Sequence, residues 1–153
     1  MREIILISFL GPDQPNQFTR LMQVLSAHSL QILDVGQAVI HNQLTLGIVV
    51  ASEDQTATAL AMKEILILAH DIGLTVRFKP ISATEYDQWV KEGGRTRYIV
   101  TALAPELNAS HLQAVTQIVS GQGFNIETVT RLSGRPVLDG QSAGPKRACV
   151  QFG

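Results

Sequence analysis

The stretch Gly11-Pro-Asp-Gln-Pro-Asn16, followed at once by Gln17, is where this chain concentrates groups able to hold a small ligand. Asp13 offers a carboxylate to an ammonium group. A helix starting just after Asn16 leaves its first backbone N–H groups without intrahelical partners, at the positive end of the helix dipole, and that suits a carboxylate. Together these groups match the two ends of an amino acid zwitterion. A capped turn that merely joins a strand to a helix accounts for the same residues. A phosphate cradle fits less well, because such loops need several glycines to close N–H groups around the anion. This turn has one glycine and two prolines, which carry no N–H.

Other chemistry is poorly provided for. Zinc needs converging Cys and His ligands, whereas His28, His41, His70 and His111 are far apart and Cys149 is the single cysteine, so no metal site is expected. Gly-x-Ser-x-Gly, Asp-x-Asp and Asp-x-Asp-x-Thr motifs are missing, and no catalytic residue is expected within the chain. Cys149 lies in an apolar strand and reads as an inert core thiol. With 12 Lys+Arg against 13 Asp+Glu, the net charge of -1 gives no pull toward nucleic acid or an acidic membrane. The central strands also lack the stacked aromatics that RNA binding would need. The longest apolar runs are broken well before the ~20 residues of a membrane span, and the N-terminus lacks a signal-peptide pattern. A cytoplasmic location is the expectation.

The elements that must position the turn follow from hydrophobic spacing. Glu3 to Leu10 reads as a strand, apolar enough to be buried on both faces or to sit at a sheet centre. Phe18, Leu21, Met22 and Leu25 fall on one helical face, with Asn16 as N-cap acceptor and Pro15 resisting an earlier start. Leu30–Ile40 and Leu44–Ala51 read as strands joined by a hairpin turn at His41-Asn42-Gln43. A helix over Thr56–Asp71 presents Met62, Ile65, Leu66, Ala69 and Ile72 on one stripe. Gly73 stops it, and Leu74–Ile81 forms a last strand. The order βαββαβ is the α+β, ferredoxin-like arrangement, an antiparallel sheet with both helices on one face.

The pattern then repeats. An offset of 94 residues lays Ile5 on Ile99, Phe18 on Leu112, Leu21 on Val115, Val24 on Ile118 and Val35 on Val129. The second copy reads as a strand over Tyr98–Ala104, a helix over Ser110–Gly121, and strands over Phe124–Leu132 and Arg147–Phe152. A loop over residues 134–146, about nine residues longer than its counterpart, separates the last two strands. The expected domains are residues 1–81, a polar linker over 82–94 in which Tyr86, Trp89 and Val90 make one docked helical turn, and an incomplete second copy over 95–153. Without its second helix and fourth strand that copy leaves a sheet edge uncovered, so the chain reads as a fragment.

The Gly11-Pro-Asp-Gln-Pro turn, the amphipathic helix and the β-branched strand after it resemble the ACT domain, a regulatory module that binds amino acids. GFNIETV at 123–129 carries the likeness in the second copy. Residues 24–50, VLSAHSLQILDVGQAVIHNQLTLGIVV, are similar to the N-terminal regulatory half of ACT-containing phosphoserine phosphatases, and the likeness continues to KRACVQF. In that family tandem modules precede a catalytic domain that hydrolyses phosphoserine with Mg²⁺. The resemblance therefore implies a serine-responsive regulatory piece, inactive by itself and without a cofactor of its own, that forms homodimers through its ACT modules. It also implies an effector site on the turn, at Gly11, Asp13, Asn16 and Gln17, and at the start of the next strand, at Gln31. Asn125 occupies the latter position in the second copy. The sequence departs from the family where Asn16 replaces the usual turn Gly, and where Leu107 stands opposite Asp13. A stand-alone interaction protein resembling the glycine-cleavage repressors is the alternative.

Overall fold

In the computed structural model, which describes residues 2–93, 96–132 and 148–153, the chain forms two compact units, residues 1–94 and 95–153. The first contains β1 (Glu3–Pro12), α1 (Gln17–Ala27), β2 (Gln31–Ile40), β3 (Gln43–Ser52), α2 (Gln55–Asp71), β4 (Thr75–Ile81) and α3 (Ala83–Gly93). Its four strands are antiparallel in the order β2-β3-β1-β4, the ferredoxin-like topology.

β1 is apolar on both faces because both are covered. Ile5, Ile7 and Phe9 join Leu44, Leu46, Ile48 and Val50 of β3 against Leu21 and Leu25 of α1 and Ala61, Ile65 and Ala69 of α2. Ile4 points the other way, beside Val49 and Ala51, with Leu6 and Tyr86 packed against them. Fully buried side chains such as Ile7, Ile48 and Ile65 each contribute about 1.5–3 kcal/mol. Both helix faces differ from the spacing-based expectation. On α1 the line of burial runs through Gln17, Leu21 and Leu25, and Phe18 is exposed. On α2 it runs through Thr58, Ala61, Ile65 and Ala69, leaving Leu66 exposed. Asp54 caps α2 by accepting from the N–H groups of Thr56 (2.9 Å) and Ala57 (3.1 Å). Gly73 follows it at φ 76°. His41 and Asn42, at φ 48° and 61°, make the two-residue hairpin loop whose twist matches the flanking strands.

The stretch expected as a linker is a full helix. Ser82 and Glu85 form a reciprocal capping box: the Ser82 N–H donates to Glu85 Oε2 at 2.8 Å, and the Glu85 N–H donates to Ser82 Oγ at 3.1 Å. Tyr86 docks α3 on the sheet face away from α1 and α2, and its ring lies 5.7 Å from that of the half-exposed Trp89.

In the second unit, β5 (Val100–Ala104), α4 (Ala109–Gly121), β6 (Val129–Arg131) and β7 (Ala148–Phe152) follow one another, with antiparallel strand order β5-β7-β6. This repeats the order of β1, β3 and β2. Residues 124–128, expected as strand, precede β6 without belonging to it, and the loop over 134–146 lies outside the described residues. Cys149 is half-buried instead of sealed in a core. The 94-residue offset holds at the helix ends, where Ser29 (φ 55°) corresponds to Gly123 (φ 80°). At the helix starts it fails, since Asn16 and Asn108 are 92 apart. The first strand is out of phase as well, by an odd number of residues that this shift of two does not produce. Val100 and Ala102 pair with the buried Phe152 and Val150, whereas Leu103 falls on the opposite face and Ile99 lies ahead of the strand, both exposed. No helix among the described residues is long and apolar enough to cross a membrane.

The capping box makes α3 sensitive to acid. The Ser82 backbone N–H, then its hydroxyl, and more weakly Lys79 hold the Glu85 carboxyl below its ordinary value, against a small opposing effect of desolvation. Because the folded-state value is depressed, the cap is at full strength above the ordinary glutamate range and is lost as pH falls through the lowered value. Protection factors of the amides over residues 83–86, taken relative to the intrinsic exchange rate at each pH, should fall across that window, and Ser82→Ala should move the Glu85 titration midpoint upward. A midpoint unmoved by Ser82→Ala would contradict the assignment.

Candidate functional site

The turn between β1 and α1 is held at three points. Gly11 lies against the loop after α2, where an added Cβ would sit 2.7 Å from the Gly73 carbonyl oxygen and 2.9 Å from Leu74 Cδ2. Packing requires glycine there. The Asp13 N–H donates to the Asn42 carbonyl at 2.8 Å, tying the turn to the tip of the β2–β3 hairpin. Gln17, only 3% exposed, bridges the turn from below: its Oε1 accepts from the Gln14 N–H at 2.9 Å and its Nε2 donates to the Pro12 carbonyl at 3.0 Å.

Asn16 does not act as the expected N-cap acceptor. It sits at φ 66°, ψ 2°, in the left-handed region, and its side chain makes no capping hydrogen bond. Its carbonyl accepts the Arg20 N–H at 3.0 Å, as the first helical bond. Gly and Asn are the residues that tolerate this backbone conformation best, so Asn16 fills a glycine-type position and keeps its carboxamide available. In the second unit the corresponding turn is built differently. Asn108 is extended and caps α4 by accepting the His111 N–H at 3.2 Å.

An open cleft of about 320 Å³ lies over the turn, lined by residues 13–19 of the turn and α1 and closed by Gln37 of β2 and Leu44 of β3. Asp13 is the one charged residue in that lining. Phe18, rotated out of the core, forms part of the wall beside the Asn16 and Gln37 carboxamides. The cleft can meet an ammonium at Asp13, a carboxylate at the unpaired first-turn N–H groups, and a small polar side chain at the carboxamides.

Gln31 does not join it. β2 carries a bulge between Ile32 and Asp34, two residues of β2 being spanned by one step of β3. Six positions apart in a regular strand, Gln31 and Gln37 would share a face. The bulge at Leu33 breaks that parity. Gln37 pairs with Leu46 on the helix side, and Gln31 pairs with Ala51 on the other, where its Oε1 accepts from Arg2 Nη2. The two are also separated by about 20 Å of strand. Asn125 is exposed in the second unit, on the segment between α4 and β6. Gln37 went unrecognised in the sequence because the phase of β2 depends on a bulge that no Gly or Pro announces, and Leu44 because an apolar residue of β3 reads only as core. Among the described residues no three His, Cys, Asp or Glu side chains gather as metal ligands.

The family model described as ACT domain matches residues 3–79. Phosphoserine phosphatase SerB2 of Mycobacterium tuberculosis is 29% identical over 134 residues, 87% of this chain. The chain spans 32% of the length of that relative. Among solved structures, a protein assigned as a glycine cleavage system transcriptional repressor aligns with 99% of this chain and 79% of its own, at TM-score 0.65 and 10% identity. An unknown protein from Galdieria sulphuraria aligns with 99% of this chain and 81% of its own, at TM-score 0.66 and 14% identity. At these identities the two structures share the fold.

The close approach at Gly11 predicts that Gly11→Ala destabilises the first unit by about 1–3 kcal/mol, since the obstacle is backbone and cannot swing away. Chemical denaturation of the two proteins measures the difference. An unchanged midpoint would mean that β1 has room to retreat from Gly73.

Proposed function

Because the chain belongs to the ACT domain family, we propose that it is the amino-acid-sensing regulatory region of a phosphoserine phosphatase, with L-serine as the effector bound in the cleft at the start of α1. The observation that carries this reading is the 29% identity to a phosphoserine phosphatase across 87% of the chain, which reaches through both units. The likeness to the repressor, at 10% identity, is one of fold and adds no weight to the alternative. In the proposed complex the serine ammonium pairs with Asp13 and its carboxylate meets the first-turn N–H groups of α1 beside the Asn16 carboxamide. Its hydroxyl reaches Gln37. Hydrolysis of phosphoserine and the Mg²⁺ it uses belong to a catalytic domain outside these residues. Serine regulates that domain only to the extent that it binds one conformational state of the regulatory region more tightly than another.

The same reading includes a homodimer. Among the described residues β2 is an edge strand, hydrogen-bonded to β3 alone, and Ile32, Val35, Val39 and Ile40 on it are exposed. An unpaired apolar edge of this kind favours antiparallel addition of a second copy.

L-serine at roughly a hundred times its Kd should add about 2.7 kcal/mol to unfolding, seen as a rise in melting temperature. Asp13→Ala should abolish that rise. A chain indifferent to every amino acid would refute the effector reading. Sedimentation provides an independent check, in which Val35→Lys should convert a dimer to a monomer. A wild-type chain that sediments as a monomer at high concentration would remove the dimer from the account.

A further inference from the structure

We propose that Gln17 is a positioning residue, one that sets the shape of the effector turn without touching the effector, and this inference rests on the amino-acid-binding reading above. Its side chain is nearly sealed, and both ends of its amide are engaged within the turn. Oε1 holds the Gln14 N–H and Nε2 holds the Pro12 carbonyl, so the two bonds grip the backbone on either side of Asp13. A planar carboxamide with an acceptor on one side and a donor on the other is the group this bridge requires. It is not an N-cap, since neither bond reaches an N–H of the first turn of α1, and Asn16 makes no capping bond either. The consequence is a division of labour: Gln17 spends its hydrogen bonds on the turn, while the Asp13 carboxylate and Asn16 carboxamide are left to the cleft. The place of Gln17 in sequence, first in α1 and four residues before the buried Leu21, also explains why this polar side chain takes the core-facing position that Phe18 gives up.

Two near-isosteric variants of the full chain separate this role from simple stability. Gln17→Met keeps the length and the burial but loses both bonds. Gln17→Glu keeps the acceptor for Gln14 and sets a carboxylate against the Pro12 carbonyl. The Gln14 amide should exchange faster with solvent in Gln17→Met, and in both variants L-serine should bind about tenfold or more weakly at neutral pH. Protonation restores a donor to Gln17→Glu. Its serine affinity should therefore recover between about pH 7 and about pH 5, since burial beside a carbonyl raises that carboxyl, while the wild type stays flat. Asp13 is the charged group of the same turn and is present in both proteins, so it cancels in the comparison. Serine affinity in Gln17→Met within twofold of wild type, or no acid recovery in Gln17→Glu, would overturn the positioning role. A wild-type chain that binds none of the twenty amino acids would overturn the effector reading itself, and the positioning role with it.

Discussion

The two-sided burial of β1 is the constraint on which the first unit depends. A central strand with Ile5, Ile7 and Phe9 in one core and Ile4 and Leu6 in another cannot slide by one residue without exchanging the two sets. Its register with β3 and β4 is thereby fixed along its length, from Ile4 opposite Ile81 to Pro12 opposite Gln43. The strand therefore delivers Gly11 and Asp13 to one defined place at the sheet end. There Gly73 and Leu74 press on Gly11, and Asn42 receives the Asp13 N–H. The cleft is thus a product of sheet register before it is a product of its own residues.

Much of this was legible in the sequence because it depends on local chemistry. The apolar run of β1, the amphipathic runs of α1 and α2, the hairpin at His41-Asn42 and the glycine stop at Gly73 each have a short-range cause. The capping box of α3 was equally visible in Ser82-Ala-Thr-Glu85 and was obscured by the polarity of its surroundings. Phe18 and Gln17 reversed roles for a reason spacing cannot convey. Helical periodicity favours the larger apolar residue for the interior, but the turn needed an amide there, and two satisfied hydrogen bonds offset the burial of a polar group.

The site residues separate along the same line. Asp13, Asn16 and Gln17 are consecutive or nearly so, and proximity in sequence placed them together. Gln31 was assigned by analogy to the start of a strand, and a single inserted residue at Leu33 turned it to the other side of the sheet. In the second unit the helix starts two residues earlier by offset, and the matching turn is a conventional Asn cap. Duplication kept the topology, while the turn geometry diverged.

The hydrogen bond from Asp13 to Asn42 bears on the order in which the unit assembles. The β2–β3 hairpin closes over a two-residue loop and is local, the kind of contact that forms early. The β1 turn gains its anchor only once β1 has docked along β3, a pairing that spans Glu3 to Ser52. The cleft is accordingly a late product of folding, and a nascent chain carries Asp13, Asn16 and Gln17 long before it has the sheet end that holds them together.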